Sequence, residues 1–77
     1  MNNFSNFKSS EHAWVTGTVK MLRPEKGYGF LRGVDGIEYF FHRESTLDFD
    51  TLTVGMGVRF VPSAGTQGPR ATAVEPL

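Results

Sequence analysis

Cysteine is absent from this chain of 77 residues, and so are long apolar runs. Without cysteine, no disulfide can stabilise the fold and no thiolate can bind a metal. No stretch approaches the roughly 18 apolar residues of a membrane-spanning helix, and the amino-terminal segment lacks the apolar core of a secretory signal. We therefore expect a cytoplasmic protein without membrane attachment, whose stability depends on a compact core.

Neither sign of charge is in excess, because eight basic residues balance eight acidic ones. A net charge of zero argues against a protein that binds duplex DNA by charge alone. The distribution is less even than the sum, since the basic residues concentrate in the first half of the chain and acidic residues follow them. This basic group comprises Lys20, Arg23, Lys26, Arg32 and Arg43.

Catalytic and metal-binding patterns are also missing. The histidines, His12 and His42, lie on a predicted tail and a predicted strand, with no cysteine or second nearby histidine to complete a metal site. Gly27-Tyr28-Gly29 resembles a phosphate-binding loop only superficially, because no helix follows it. No serine lies in a nucleophile elbow and no carboxylate pair stands out. The sequence therefore predicts no enzyme, no cofactor and no metal.

The pattern that is present consists of short strand-like segments separated by turn residues. Apolar residues nowhere recur at helical spacing over three turns. We predict a flexible tail over 1–12 and a single domain over 13–77, with a loop and a short helical turn over 43–56. Asp35-Gly36 predicts the turn between the second and third strands, and Ser63 to Pro69 predicts a glycine-rich connection. The five predicted strands are 13–22, 26–31, 39–42, 57–61 and 70–74.

Five strands with one long connection between the third and the fourth favour a particular all-β architecture. They suit a five-stranded antiparallel Greek-key barrel of the oligonucleotide-binding type, the OB-fold. A closed barrel also suits so small a chain, because it leaves no sheet edge unpaired.

Aromatic side chains occur on both faces of the second and third predicted strands. Because side chains alternate along a strand, Tyr28 and Phe30 project to the same side, as do Phe40 and His42. A single strand aromatic most often packs in a core, but a small barrel has only one interior. One set of rings must therefore face water, which is typical of a contact surface. The inward set would be Leu31, Tyr39 and Phe41.

Four short segments resemble the signatures of the cold-shock domain family, in the same order. Gly17-Thr18-Val19-Lys20 is similar to its first-strand signature, and Lys26 to Leu31 to the first ribonucleoprotein motif. Phe40-Phe41-His42 resembles the second such motif, and Gly68-Pro69-Arg70-Ala71 the closing segment. RNA-recognition-motif domains share the first of these motifs but place it on a third strand after a helix. The order and the absence of helices favour the cold-shock family.

The resemblance implies a barrel that binds single-stranded RNA or DNA, as an RNA chaperone or a regulator of transcription or translation. We expect a monomer, because nothing in the sequence pattern demands a partner subunit. It implies bases stacked on Tyr28, Phe30 and Phe40, with His42 beside them. Phe49, in the loop, resembles the aromatic residue that stacks a further base. Phosphates or base edges would be contacted by Lys20, Lys26, Arg32 and Arg43, and the last loop would approach the strand through Gly68 and Pro69.

The chain departs from the family pattern on the expected binding side. Met21 and Leu22 stand where the family has a tryptophan and a phenylalanine, and Arg43 stands where another aromatic residue is common. Met21 can lie against a base but stacks less well than an indole, whereas the Arg43 guanidinium can stack on bases. Gln67 occupies a place that is often basic. We expect moderate affinity from this narrower set of rings.

Some aromatic residues raise separate questions. Tyr39 and Phe41 are larger than the β-branched residues usual at these inward positions, and we expect Leu22 to turn inward as the barrel accommodates them. Trp14 precedes the first signature, and we expect its ring to cover one end of the barrel rather than contact a base.

One alternative function fits the same exposed rings. A small barrel could use them to bind an extended or proline-rich peptide. That hypothesis explains the aromatic residues and the zero net charge, but leaves the ordered match to four nucleic-acid-binding signatures unexplained.

Overall fold

The structure, a computed structural model, describes residues 14–77, so the tail predicted over 1–12 lies outside the described residues. The described chain forms five strands, with two single-turn 3-10 helices, Arg43–Ser45 and Phe49–Thr51, in the predicted loop. The strands are β1 (Val15–Arg23), β2 (Tyr28–Gly33), β3 (Glu38–His42), β4 (Gly57–Gly65) and β5 (Gly68–Pro76).

The five strands close into a barrel in the order β1-β2-β3-β5-β4, with β4 pairing back to β1. This confirms the predicted all-β, five-stranded OB-fold barrel. Neighbouring strands pair antiparallel except β3 and β5, which run parallel and meet at Phe40 and Arg70. This parallel pair places β5 beside the edge of β3.

The hairpin between β4 and β5 differs from the predicted connection at Ser63 to Pro69. Both strands continue to a two-residue turn, with Gly65 paired to Gly68. Gly68 has a φ of 125°, in a region that favours glycine. The prediction of a loop was wrong here because proline and glycine usually interrupt strands. In this hairpin both residue types lie within the paired strands.

The inward faces of the strands fill the barrel with apolar side chains. Leu31, Tyr39 and Phe41 are buried, which confirms the orientation predicted from strand alternation. Leu22 is partly buried against the same core. The complete core consists of Val19, Leu31, Tyr39, Phe41, Phe49, Leu52, Val58, Phe60, Ala71 and Val74.

Two glycines of β2 make room for the large rings of β3. Gly29 is paired with Phe41, and a Cβ atom on Gly29 would lie 2.8 Å from the Cε1 atom of that ring. A Cβ atom on Gly33 would lie 3.2 Å from Cε1 of Tyr39. Both distances are shorter than ordinary carbon contacts. The absence of side chains at these positions therefore lets a small barrel hold two rings from one short strand.

A hydrogen bond satisfies the hydroxyl group of the buried Tyr39. This hydroxyl donates to Oδ2 of Asp35 at 2.7 Å, and the backbone N–H of Ile37 donates to Oδ1 at 3.0 Å. The bond from Tyr39 is the largest cause of the lowered pKa of Asp35. The same bond raises the pKa of Tyr39 to about 12. The β2–β3 turn is thus tied to the core through one carboxylate.

Candidate functional site

Three rings lie together on the outer side of β2 and β3, and we call Tyr28, Phe30 and Phe40 the aromatic face. The Tyr28 and Phe40 ring centroids are 5.4 Å apart, and those of Phe30 and Phe40 are 5.6 Å apart. Tyr28 and Phe30 are separated by 6.3 Å and meet edge to face. All three rings are partly exposed. The structure thus brings these residues together, as strand alternation predicts.

His42 adjoins the aromatic face because it is paired with Tyr28 across β2 and β3. Its Nδ1 atom accepts a hydrogen bond from the backbone N–H of Glu44 at 3.4 Å. In the neutral imidazole this assigns the proton to Nε2. The partly exposed ring therefore has a hydrogen-bond donor available for a ligand.

A β-bulge places Met21 on the same side as the aromatic face. Val19 pairs with Leu31 and Met21 pairs with Phe30, which leaves Lys20 as the extra residue of β1. Without the bulge, Met21 would share the inward side with Val19, two residues before it. Lys20 is exposed. The bulge therefore places Met21 beside Phe30 and leaves Lys20 exposed next to it in β1.

The predicted phosphate contacts differ in their surroundings. Lys26 is exposed in the β1–β2 turn. Lys20 and Arg32 line a shallow depression of about 300 Å³ beside β1. Arg32 also forms an ion pair of 3.1 Å with Glu38, and both side chains are about half exposed. Exposed pairs of this kind contribute about 0–1 kcal/mol, so this one is readily exchanged for another anion.

Arg43 and Phe49 do not join the aromatic face. Phe49 is only 7% exposed, and its ring lies 5.9 Å from that of the core residue Phe41. The Arg43 guanidinium lies over the other side, 5.3 Å from the Phe49 centroid, and donates to the Pro24 carbonyl at 3.2 Å. This geometry does not support the expected stacking role of Phe49, because its ring offers no free face to a base.

Arg70 is a candidate residue that the sequence reasoning missed. Its guanidinium lies 5.2 Å from the Phe40 ring centroid, beside the aromatic face. The contact follows from the parallel pairing of β3 with β5, which joins positions thirty residues apart. The only sequence signal was its place between Pro69 and Ala71 in the closing segment. An open groove of about 430 Å³ is lined there by Phe30, Phe40, Thr66, Gln67, Gly68, Pro69 and Arg70.

Trp14 lies away from these residues, at the start of β1. The Arg59 guanidinium stacks 4.6 Å from the indole, and donates to Oε1 of Glu75 from Nη2 at 2.9 Å. The ring is partly buried and contacts β4 through Arg59.

Residues 14–77 lack two features that mark other classes of protein. No three histidine or acidic side chains in this range lie close enough together to hold a metal ion. The range also contains no helix that is long and apolar enough to cross a membrane.

Comparisons with known proteins find cold shock proteins among the relatives of this chain. Cold shock protein 2 of Lactiplantibacillus plantarum is 42% identical over 62 residues, covering 78% of this chain and 94% of the relative. Cold shock-like protein CspI of Escherichia coli is 41% identical over 66 residues, covering 82% and 94%. The solved structure of drosophila Unr CSD456 superposes with a TM-score of 0.73 at 28% identity, over 95% of this chain and 30% of that longer one.

The family model described as 'Cold-shock' DNA-binding domain matches residues 15–77, which is nearly the whole described chain. The match covers the barrel, the aromatic face and the closing hairpin together. The chain belongs to the cold-shock domain family of nucleic-acid-binding proteins.

Proposed function

We propose that this protein binds single-stranded RNA or DNA by stacking bases on the aromatic face. The observation that carries the proposal is the cluster of three partly exposed rings, with centroids 5.4 to 6.3 Å apart, on one side of a closed barrel. Base stacking on such rings contributes about 1–3 kcal/mol per base and tolerates any sequence. Bases are free to stack in this way only when they are unpaired.

Polar groups around the rings mark where the sugar-phosphate backbone of a bound nucleic-acid strand would run. Lys20, Lys26 and Arg32 are exposed and would contact phosphates, while His42 has its Nε2 donor beside Tyr28. Met21 extends the apolar surface next to Phe30. On the opposite border, Gly68 and Pro69 form a wall of the groove.

We further propose that the protein acts as a cytoplasmic monomer that keeps transcripts unpaired for translation or transcription. Relatives are named cold shock proteins, and sequence-tolerant stacking fits a chaperone of RNA. A surface of three rings favours the extended strand over the duplex without requiring a defined target.

Titration with labelled oligothymidine and oligouridine tests the proposal. Phe30→Ala removes the ring that contacts both Tyr28 and Phe40, and should weaken binding by about tenfold to a hundredfold. Leu47→Ala is the matched control, because this apolar side chain is fully exposed and lies in the loop before the second 3-10 helix. If the wild type binds neither strand, the proposed function is wrong; capture of a proline-rich peptide instead would favour the alternative.

A further inference from the structure

Arg70 differs from three other arginines of the barrel, Arg32, Arg43 and Arg59, in what holds its guanidinium. Arg32 and Arg59 each form an ion pair with a glutamate of a neighbouring strand, and Arg43 donates to a backbone carbonyl. Arg70 forms no ion pair within residues 14–77, and its side chain is exposed. Its charge and its planar row of N–H donors are therefore free for a ligand.

The hairpin directs Arg70 towards the aromatic face. A Cβ atom on Gly65 would lie 2.6 Å from Cδ and 2.8 Å from Cγ of Arg70, so the stem occupies the space that a side chain at Gly65 would fill. From there the guanidinium reaches to 5.2 Å from the Phe40 centroid. The position of the charge is thus set by packing within the hairpin.

The groove beside Arg70 has the size and the lining of a site for one base. Its volume of about 430 Å³ falls in the range of roughly 300–1,000 Å³ that is usual for small-molecule sites. Phe30 and Phe40 supply stacking surface on one side, and the hairpin turn supplies the other. A base stacked in the groove would have one edge within reach of the Arg70 fork.

An arginine fork discriminates between bases because it needs two neighbouring acceptors. Guanine presents O6 and N7 side by side, whereas adenine presents N7 beside an amino donor and thymine presents O4 without a neighbouring acceptor. An unpaired cytosine also has two neighbouring acceptors, O2 and N3, but on its Watson–Crick edge. We propose that Arg70 recognises the O6 and N7 edge of guanine in this groove, so that the protein prefers single strands that carry guanine there. This inference rests on the proposed function and adds which nucleic-acid single strands the aromatic face prefers.

Short oligothymidine strands with one central base replaced by guanine, adenine, cytosine or 7-deazaguanine test this inference by fluorescence anisotropy. Flanking thymidines let the strand slide until the replaced base reaches the groove. The guanine strand should bind about fivefold to a hundredfold more tightly than the adenine strand, which stacks as widely but lacks the second acceptor. 7-Deazaguanine, which lacks N7, should lose most of this advantage.

Two variants alter the fork in different ways. Arg70→Lys keeps the charge but removes the planar pair of donors, and should bring the ratio of guanine to adenine affinity close to one. Gly65→Ala keeps the arginine but displaces its stem, and should lower the same ratio. Arg59→Lys makes the matched change beside Trp14, away from the groove, and should keep the wild-type ratio.

The outcomes separate this inference from the function on which it rests. Equal wild-type affinity for guanine and adenine, cytosine equal to guanine, or a guanine preference that survives Arg70→Lys would each overturn the inference. In all three cases the strands still bind, so the proposed function stands. Failure of the wild type to bind any strand would remove both.

Discussion

Phe49 shows that a loop residue between two acids can belong to the core. Asp48 and Asp50 flank it, and both are exposed. The 3-10 turn that begins at Phe49 directs this one ring inward against Phe41. Arg43 then covers the outer side of the ring. A loop sequence without alternation gives no information about which side faces the barrel, so this orientation required the structure.

Phe49→Ala should therefore lower the free energy of unfolding, by about 3–5 kcal/mol, because it leaves a cavity beneath Arg43. Urea denaturation measures the change. Leu47→Ala, an exposed residue of the same loop, should change the free energy of unfolding by no more than about 0.5 kcal/mol. A Phe49→Ala protein of wild-type stability that binds oligothymidine weakly would instead place this ring on the binding surface.

The bond between Asp35 and Tyr39 makes stability depend on pH at both ends of the scale. The pKa of Asp35 is lower in the folded state, so its contribution is present above about pH 4 and is lost as the pH falls through the lowered value. The pKa of Tyr39 is raised to about 12, so its contribution is present below about pH 10 and is lost as the pH rises towards 12.

Urea denaturation across the acid range tests the Asp35 part of this dependence. Tyr39→Phe removes the hydroxyl donor, which is the largest cause of the lowered pKa of Asp35. The variant should lose less stability between neutral and acid pH than the wild type. If both proteins lose equal amounts, other carboxylates determine the acid response.

At the level of the strand, the bulge in β1 determines which side of the barrel the Met21 side chain faces. The register shift at Lys20 moves Met21 opposite Phe30, on the outer side, and leaves Val19 in the core. Two apolar residues two positions apart in a strand are ordinarily assigned to the same face. Only the cross-strand register shows that Val19 faces the core and that Met21 faces outward.

Met21→Trp should tighten binding of oligothymidine by about tenfold to a hundredfold, because an indole beside Phe30 adds one stacking surface. Titration by anisotropy measures this change. Leu47→Trp adds the same indole at a fully exposed loop residue away from the aromatic face and should leave the affinity unchanged. An unchanged dissociation constant for Met21→Trp would show that the strand does not pass this residue.

Gly29→Ala tests how β2 accommodates the rings of β3. The added Cβ atom would lie 2.6 Å from the Met21 carbonyl oxygen and 2.8 Å from the Phe41 ring, so overpacking should cost about 1–3 kcal/mol. Gly36→Ala is a useful comparison, since nothing lies near its Cβ position and the φ of 84° accounts for a cost of about 1–2 kcal/mol. Thermal or urea denaturation should show a lower free energy of unfolding for Gly29→Ala than for the wild type. A stability equal to that of the wild type would mean that the Phe41 ring moves aside.

The first three strands could be predicted to within two residues because alternation and turn signals agree there. The carboxyl half was harder, since Pro62 and Pro69 lie inside paired strands where they usually mark a loop. Proline fits a strand wherever its nitrogen need not donate to the neighbour, and a single sequence does not show those positions.

Over the whole molecule, balanced charge limits how much of the binding is electrostatic. Ion pairs within residues 14–77 engage Arg32 and Arg59, which leaves Lys20, Arg23, Lys26, Arg43 and Arg70 without acidic partners in that range. Two to four phosphate contacts predict that the logarithm of the affinity falls by about 1.4 to 2.8 per tenfold rise in salt concentration, at roughly 0.7 per contact. Titration of oligothymidine over a series of salt concentrations measures this slope, and a flat dependence would contradict phosphate contacts altogether.

The candidate site was predictable only in part, for a reason of topology. Tyr28, Phe30 and Phe40 lie on adjacent strands joined by a short turn, so alternation suffices to place them together. Arg70 reaches Phe40 through a parallel pairing at the closure of the barrel. Sequence periodicity describes the faces of one strand, but not which distant strand lies beside it.

The pairing of β3 with β5, which closes the barrel, is short. Between β3 and β5 the described chain pairs Phe40 with Arg70, supported by an isolated bridge from Thr46 to Val74. A seam with so few ladder hydrogen bonds opens at a lower free energy than the long antiparallel pairs. A nucleic-acid strand bound across Phe40 and Arg70 would contact both β3 and β5. Binding would therefore stabilise the barrel against opening between these two strands, where it is weakest.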